Sequence, residues 1–224
     1  MDLSKFTLAL FDIFAYLLPG LALLVILSLV EATFLKTSLL PLSRLGTLPA
    51  LIILVAYYLG HLIHTLGILV TSKIACLSVP RGGDLSDAVF KQLRDRVVKV
   101  YDLDVSTMVD QKLGTLDTYK LADSYVVARD KTAERESLHV RAAFACGSMV
   151  IFALLSLVAT LAFLDGGLAV RVTDKAEALD TSLTAAIAVF AGWASYAFWL
   201  RYKEFSLLRR SSIYTLFMAL TVKN

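Results

Sequence analysis

The chain has 224 residues, 58% hydrophobic and only 18% charged, with mean hydropathy +0.71 and a net charge of +3. Soluble domains run near half apolar and a quarter charged, so this composition excludes an ordinary water-soluble globule. Four prolines and eleven glycines exclude a collagen-like or low-complexity chain. What remains is an integral membrane protein of the all-α class, with four transmembrane helices and a cytoplasmic helical extension formed by the 73–141 loop and the C-terminal tail.

A membrane helix needs about 20 mostly apolar residues to cross the hydrocarbon core. Four segments satisfy this: Ile13 to Val30, Leu48 to Val70, Ala142 to Leu164 and Leu183 to Leu200. The first reads as a retained span and not a signal peptide. Its leading segment carries charges of both signs, its apolar run exceeds an h-region, and no A-x-A site follows. Leu3, Phe6, Leu10 and Phe14 predict a short interfacial helix ahead of it. The chain thus divides into residues 1–72 (the interfacial segment and helices one and two), a cytoplasmic helical region 73–141, helices three and four in 142–200, and a cytoplasmic C-terminal helix 201–224.

Orientation follows from Lys and Arg. With both termini inside, 18 of the 22 basic residues fall in the cytoplasm. The segment from Lys73 to Arg141 holds twelve of them and the tail five, whereas the loop between spans three and four holds only Arg171 and Lys175. The expected location is a bacterial inner (plasma) membrane, multi-pass, with cytoplasmic N- and C-termini. Cys76 and Cys146 fall near the cytoplasmic ends of their spans and read as free thiols in a reducing compartment.

The 73–141 segment balances twelve basic against eleven acidic residues, so it is no polybasic patch for nucleic acid or lipid. Pro80-Arg81-Gly82-Gly83 breaks the exit from span two, and Asp84 or Ser86 caps a following helix. Leu85, Val89, Leu93, Val97 and Val100 then recur at three or four, predicting an amphipathic helix to about Tyr101. After a turn-rich stretch from Asp102 to Gly114, a second helix starts near Asp117. Nothing between Thr118 and Ser148 breaks it, so one long helix is predicted to run from the cytoplasm into span three. Span four also runs on, with Phe205, Leu208, Ser212, Leu216 and Leu220 at helical spacing. That tail either lies on the membrane surface or joins a bundle with the loop helices. The bundle is favoured because the loop helices need an apolar partner.

Polar residues inside the spans are the functional candidates. Span two carries Tyr57, Gly60, His61, His64 and Gly67. His61 and His64 lie one turn apart. They read as a pore-lining or proton-sensitive pair, as two ligands of a metal, or as neutral imidazoles bridging helices. No third ligand accompanies them, so no metal and no cofactor is assigned. Asp12 begins span one, ahead of Tyr16 and Pro19-Gly20. The alternatives there are a hinge or broken helix facing a cavity and an interfacial carboxylate at a helix N-terminus followed by a packing kink. Small residues at spacings of three and four mark helix packing: Gly60 with Gly67 and Thr71, Ala143 with Gly147, and Ala188 with Gly192 beside Ser195.

The chain has no Walker A motif, no G-x-G-x-x-G and no G-x-S-x-G. Arg81-Gly82-Gly83-Asp84 reads as a turn. No catalytic residue is assigned and no enzyme is expected. The expected partners are further copies of the chain, a cytosolic protein and the lipid bilayer, without direct nucleic-acid binding.

Two stretches carry a resemblance. The opening Phe11-Asp12-Ile13-Phe14-Ala15-Tyr16-Leu17-Leu18-Pro19-Gly20 resembles the start of small four-helix bacterial inner-membrane proteins. So does the close, Arg201-Tyr202-Lys203-Glu204-Phe205 through Arg209-Arg210-Ser211-Ser212-Ile213-Tyr214-Thr215-Leu216-Phe217. Proteins of this build are similar to the membrane components of anti-phage defence systems. The resemblance implies an oligomeric inner-membrane effector or pore coupled to a cytosolic signal. The alternative is a non-conducting scaffold or sensor that recruits a soluble protein. It transfers no functional residue.

Overall fold

A computed structural model describes residues 3–35, 49–74, 87–102, 115–129, 133–171 and 176–222. Among the described residues six α-helices appear in chain order: α1 Leu3–Val30, α2 Pro49–Lys73, α3 Asp87–Val100, α4 Thr115–Ala128, α5 Ala133–Leu164 and α6 Thr181–Val222. A π-helical turn, Glu31–Leu35, extends α1. Between α5 and α6 lies an antiparallel hairpin of β1 Ala169–Arg171 and β2 Ala176–Ala178, with Val170 opposite Glu177. The class is all-α. Four helices are long and apolar enough to cross a membrane: Ile13–Leu35, Pro49–Lys73, Glu136–Leu164 and Thr181–Thr221.

The outward faces of these four are apolar. Leu62 on α2 and Val189 and Trp193 on α6 are each about two-thirds exposed or more. Such faces suit hydrocarbon, where every backbone group is already bonded inside its helix. Because lipid is as apolar as leucine, burial of apolar surface does not drive the spans together, and close backbone contact and interhelical hydrogen bonds do more of the work. Both are present. Gly20 and Gly60 let α1 and α2 touch backbone to backbone, since a Cβ on either would fall within 2 Å of a carbonyl oxygen of the other helix. Across α5 and α6, Ser156 Oγ donates to the Ala188 carbonyl and Ser195 Oγ to that of Met149, both at 2.9 Å.

Helix α6 runs 42 residues without interruption. At 1.5 Å per residue that is about 63 Å, roughly twice the hydrocarbon thickness. Its far half therefore lies beyond the membrane and packs with α3 and α4. Leu93 and Val97 of α3, Tyr119, Ala122 and Val126 of α4, and Ile213 and Phe217 of α6 form one buried cluster. Arg96 donates to the Thr221 carbonyl, and Tyr101 Oη donates to the Leu121 carbonyl at 2.9 Å. The tail thus joins a helical bundle, but the face it buries centres on Ile213 and Phe217 and not on the stripe named from spacing, whose Leu208 is exposed.

At the opposite end of the spans the chain turns tightly. Gly166 and Gly167 have φ of +99° and +128°, the left-handed region that ends helices, and Gly167 N–H donates to the Ala162 carbonyl at 2.8 Å. Thr33 Oγ1 accepts from Ala169 N–H at 3.0 Å, tying the end of α1 to β1. Asp180 caps α6: the Ser182 hydroxyl donates to its carboxylate, and its own carbonyl accepts from Thr184 N–H at 2.9 Å. Hydrogen bonds to the carboxylate, from the Ser182 hydroxyl first and then from the Ser182 and Thr181 N–H groups and the Thr181 hydroxyl, hold the exposed Asp180 carboxyl below the usual carboxylate range.

Two expectations are corrected. The long helix predicted through Thr118 and Ser148 is two helices: α4 ends at Ala128, where Arg129 N–H bonds back to the Val126 carbonyl, and α5 starts at Ala133. Ala122 and Val126 of α4 are buried with residues of α3 and α6. The short interfacial helix before span one is part of α1 itself. The hairpin after α5 is too short for any alternating pattern to announce it. Cys76, the Pro80–Gly83 break and the Asp84 or Ser86 cap lie outside the described residues.

Candidate functional site

The polar residues of span two gather around Tyr16 of α1. The Tyr16 and His61 rings stack with centroids 3.8 Å apart and planes 17° apart. His64 meets the edge of Tyr16 at 5.5 Å, and Tyr57 packs edgewise on His61 at 4.7 Å. The cause is the neighbouring glycine contact. Gly60 sits against the Tyr16 backbone, so the side chains one residue and one turn further along α2 fall on the Tyr16 ring. Tyr16 is buried, whereas Tyr57, His61 and His64 are half-buried. Ala15, Val140 and Ala143 close the apolar side of this cluster.

The two histidines have different surroundings. His61 is occupied by Tyr16 and Tyr57. His64 touches Tyr16 and also lines a cavity of about 520 Å³ between the spans and the helical bundle. Its Nδ1 is buried with no hydrogen-bond partner among the described residues. The same cavity brings together Tyr119, Lys120 and Asp123 of α4, His139 of α5, and Tyr202, Ser206, Arg209 and Arg210 of α6. Arg209 lies 3.9 Å from Asp123 and places Nη1 3.3 Å from His139 Nδ1. Burial pushes the Tyr119 phenol up from its ordinary value, and the positive Arg210 partly opposes that.

Sequence reasoning missed most of this cavity. His139 and Tyr119 carry no sequence signal of their own, and Arg209 and Arg210 count there only among the five basic residues of the tail. The available signal was that Arg209 and Arg210 lie on a helix whose other face is apolar, so one side of them had to meet the loop helices.

The other candidates fall as follows. Asp12 lies within α1, but its side chain is outside the described residues. Pro19 and Gly20, expected as a hinge, are buried inside an unbroken helix. Pro19 packs on Gly147, where a Cβ would meet its ring at 3.1 Å. Gly67 faces Cys146 and Val150 of α5, and Gly192 faces Ser156. Ala143 is buried and Ala188 half-buried. Among the described residues, no three His, Cys, Asp or Glu side chains come together as a metal site.

The fold and these contacts define a multi-pass helical membrane protein carrying a helical bundle beyond one end of its spans. No protein-family model, curated protein or solved structure matches the chain.

Proposed function

We propose that the chain is an inner-membrane effector that works as a homo-oligomer. Its cytoplasmic bundle receives a soluble signal or partner protein, and the membrane spans respond by opening a conducting path between copies. The observation that carries this reading is the continuity of α6, which serves both as a membrane span and as a wall of the bundle core through Ile213 and Phe217. A displacement of α3 or α4 has a rigid lever into the membrane. The Lys and Arg distribution supports a cytoplasmic bundle with both termini inside, and the resemblance of the two chain ends supports a role in anti-phage defence.

A second reading is favoured by one observation. Tyr16, Tyr57, His61 and His64 pack on one another within a single chain, as residues of a closed core do. On that reading the protein is a non-conducting scaffold whose bundle recruits a soluble protein.

Native mass spectrometry of the detergent-purified protein, co-expressed with its genomic neighbours, separates the two. A ring of several copies that passes ions in liposomes when triggered is the expected result. A single copy bound stoichiometrically to a soluble protein, silent in the flux assay, would replace the effector by the scaffold.

A further inference from the structure

Helix α6 keeps one side away from the rest of the chain. Within the membrane it packs on α5, through the Ser156 and Ser195 hydrogen bonds and the stacked Phe152 and Phe198 rings. Ala188 and Gly192, its small pair, both meet Ser156 of α5. On another side Ser182, Ala186, Val189, Trp193, Tyr196 and Leu200 follow one another at four, three, four, three and four, and all six are exposed. That alternation averages about 3.5 residues, the period at which a helix presents one seam to a neighbour in left-handed packing. Ala185 and Ala186 beside Val189, Phe190 and Trp193 leave an open groove along it.

Hydrocarbon suits most of this seam but not its middle. The apolar run extends from Leu183 to Leu200 and stops at Arg201, so Trp193 stands about 15 Å in, near the bilayer centre. Tryptophan ordinarily gathers at the headgroup level. Trp193 is 66% exposed, and the Phe190 ring beside it offers the indole N–H no oxygen. Tyr196 is 57% exposed and meets the Trp199 ring. Among the described residues neither the indole N–H nor the Tyr196 hydroxyl has a hydrogen-bond partner. Acyl chains carry no acceptor, and a polar group left unpaired in hydrocarbon is costly. The indole only donates, whereas the phenol donates and accepts. The two lie one turn apart on the same seam, so a second copy at the same depth and orientation supplies each with the partner it lacks.

We propose that this seam of α6 is where two copies of the chain meet, in parallel, about a two-fold axis along the membrane normal. The Trp193 N–H of one copy donates to the partner's Tyr196 hydroxyl, and the short side chains of Ala186 and Val189 let the two helices approach. The inference deepens the effector reading and rests on its homo-oligomer. It names one interface of that assembly, since a two-fold contact alone closes at two copies.

The test is disulfide trapping of the full chain in membranes. The parent, with Cys76 replaced by Ala and Cys146 buried inside the chain, is the blank. Under a two-fold axis a seam residue meets its own copy, and a disulfide closes only when the two Cα atoms come within about 7 Å. Ala186→Cys, Val189→Cys and Leu200→Cys are each expected to give a band of twice the mass on oxidation. Leu62→Cys on α2 and Leu161→Cys on α5, also exposed, are expected to stay single. Trp193→Phe keeps an aromatic ring and removes the donor. It is expected to weaken pairing about threefold, the worth of one hydrogen bond between membrane helices, read by energy transfer between labelled copies in liposomes. Tyr196→Phe weakens pairing as much, and the double variant no more than either alone, because both remove the same bond. Native mass spectrometry separates the failures. Oligomers that trap elsewhere or nowhere, and not on the seam, would overturn this interface and leave the effector reading standing. A single copy that traps nowhere would overturn both. Pairing indifferent to Trp193→Phe would also overturn the proposal, since the donor would then have no need of a second copy.

Discussion

Gly20 and Gly60 face each other across the α1–α2 crossing so closely that a Cβ on Gly20 would sit 2.9 Å from the Gly60 nitrogen and 1.7 Å from the Ala56 oxygen. The obstacle is backbone, which cannot rotate aside as a side chain can. Gly60→Ala is expected to cost about 1–3 kcal/mol or to prevent folding, as overpacking does. Gly166→Ala meets no atom within 4 Å and pays only for its positive φ, so it serves as the milder comparison. Thermal unfolding in detergent, followed by circular dichroism, checks the order.

Gly67 presents a different obstacle. A Cβ there would meet Cys146 Sγ at 2.5 Å, a side chain that can be removed. Gly67→Ala alone destabilises the α2–α5 contact. Combined with Cys146→Ala, it recovers part of the loss, with a coupling of about 0.5–3 kcal/mol. Strict additivity in the same melts would show that the Val150 side chain and the Cys146 carbonyl, at 3.2 and 3.3 Å, dominate the clash.

His61 and His64 distinguish the two functional readings. His61→Leu with His64→Leu keeps similar side-chain volumes around Tyr16 and removes both imidazoles. Triggered ion flux is expected to fall to background while the oligomer persists by native mass spectrometry. Flux retained at the wild-type level would take both imidazoles out of the conducting path, whereas cellular function retained by a protein that passes no ions would favour the scaffold.

Asp180 gives a pH dependence whose sign can be worked out. Its hydrogen bonds hold the folded-state carboxyl below its ordinary value. It therefore stabilises the fold above the unfolded-state pKa, and that contribution is lost as pH falls through the lower folded value. Asp180→Ala lowers the melting temperature at neutral pH, and the gap to wild type closes in acid. Asp180→Asn still caps the helix but flattens this acid limb. Melting curves across pH 3–7, on the order of the carboxylate range, test both.

Phe217 is fully buried in the bundle, edge-on to Tyr125 with centroids 5.3 Å apart. Phe217→Ala is expected to cost the bundle about 3–5 kcal/mol. The spans hold together through separate contacts, so limited proteolysis should cut α3 and α4 while leaving the membrane segments intact. Equal resistance in wild type and variant would show that this cluster does not hold the bundle.

By itself, the sequence determined the all-α class and the four membrane-length helices. A run of about twenty apolar residues has few stable alternatives in a bilayer. It also pointed the tail of α6 toward a bundle, although the face that packs there centres on Ile213 and Phe217 and not on the stripe read from spacing. Gly60, Gly67 and Gly147 were legible as packing positions because small residues at helical spacing allow close approach. Tertiary structure decided what depends on partners distant in the chain. Tyr16 and His61 meet only because the glycine crossing sets the register of α1 against α2, which neither helix encodes alone. The burial of Ala122 and Val126 of α4 likewise depends on residues of α3 and α6. The cavity between the spans and the bundle draws its lining from α2, α4, α5 and α6. No spacing along one helix could have announced it, because its lining converges only when four separate helices pack.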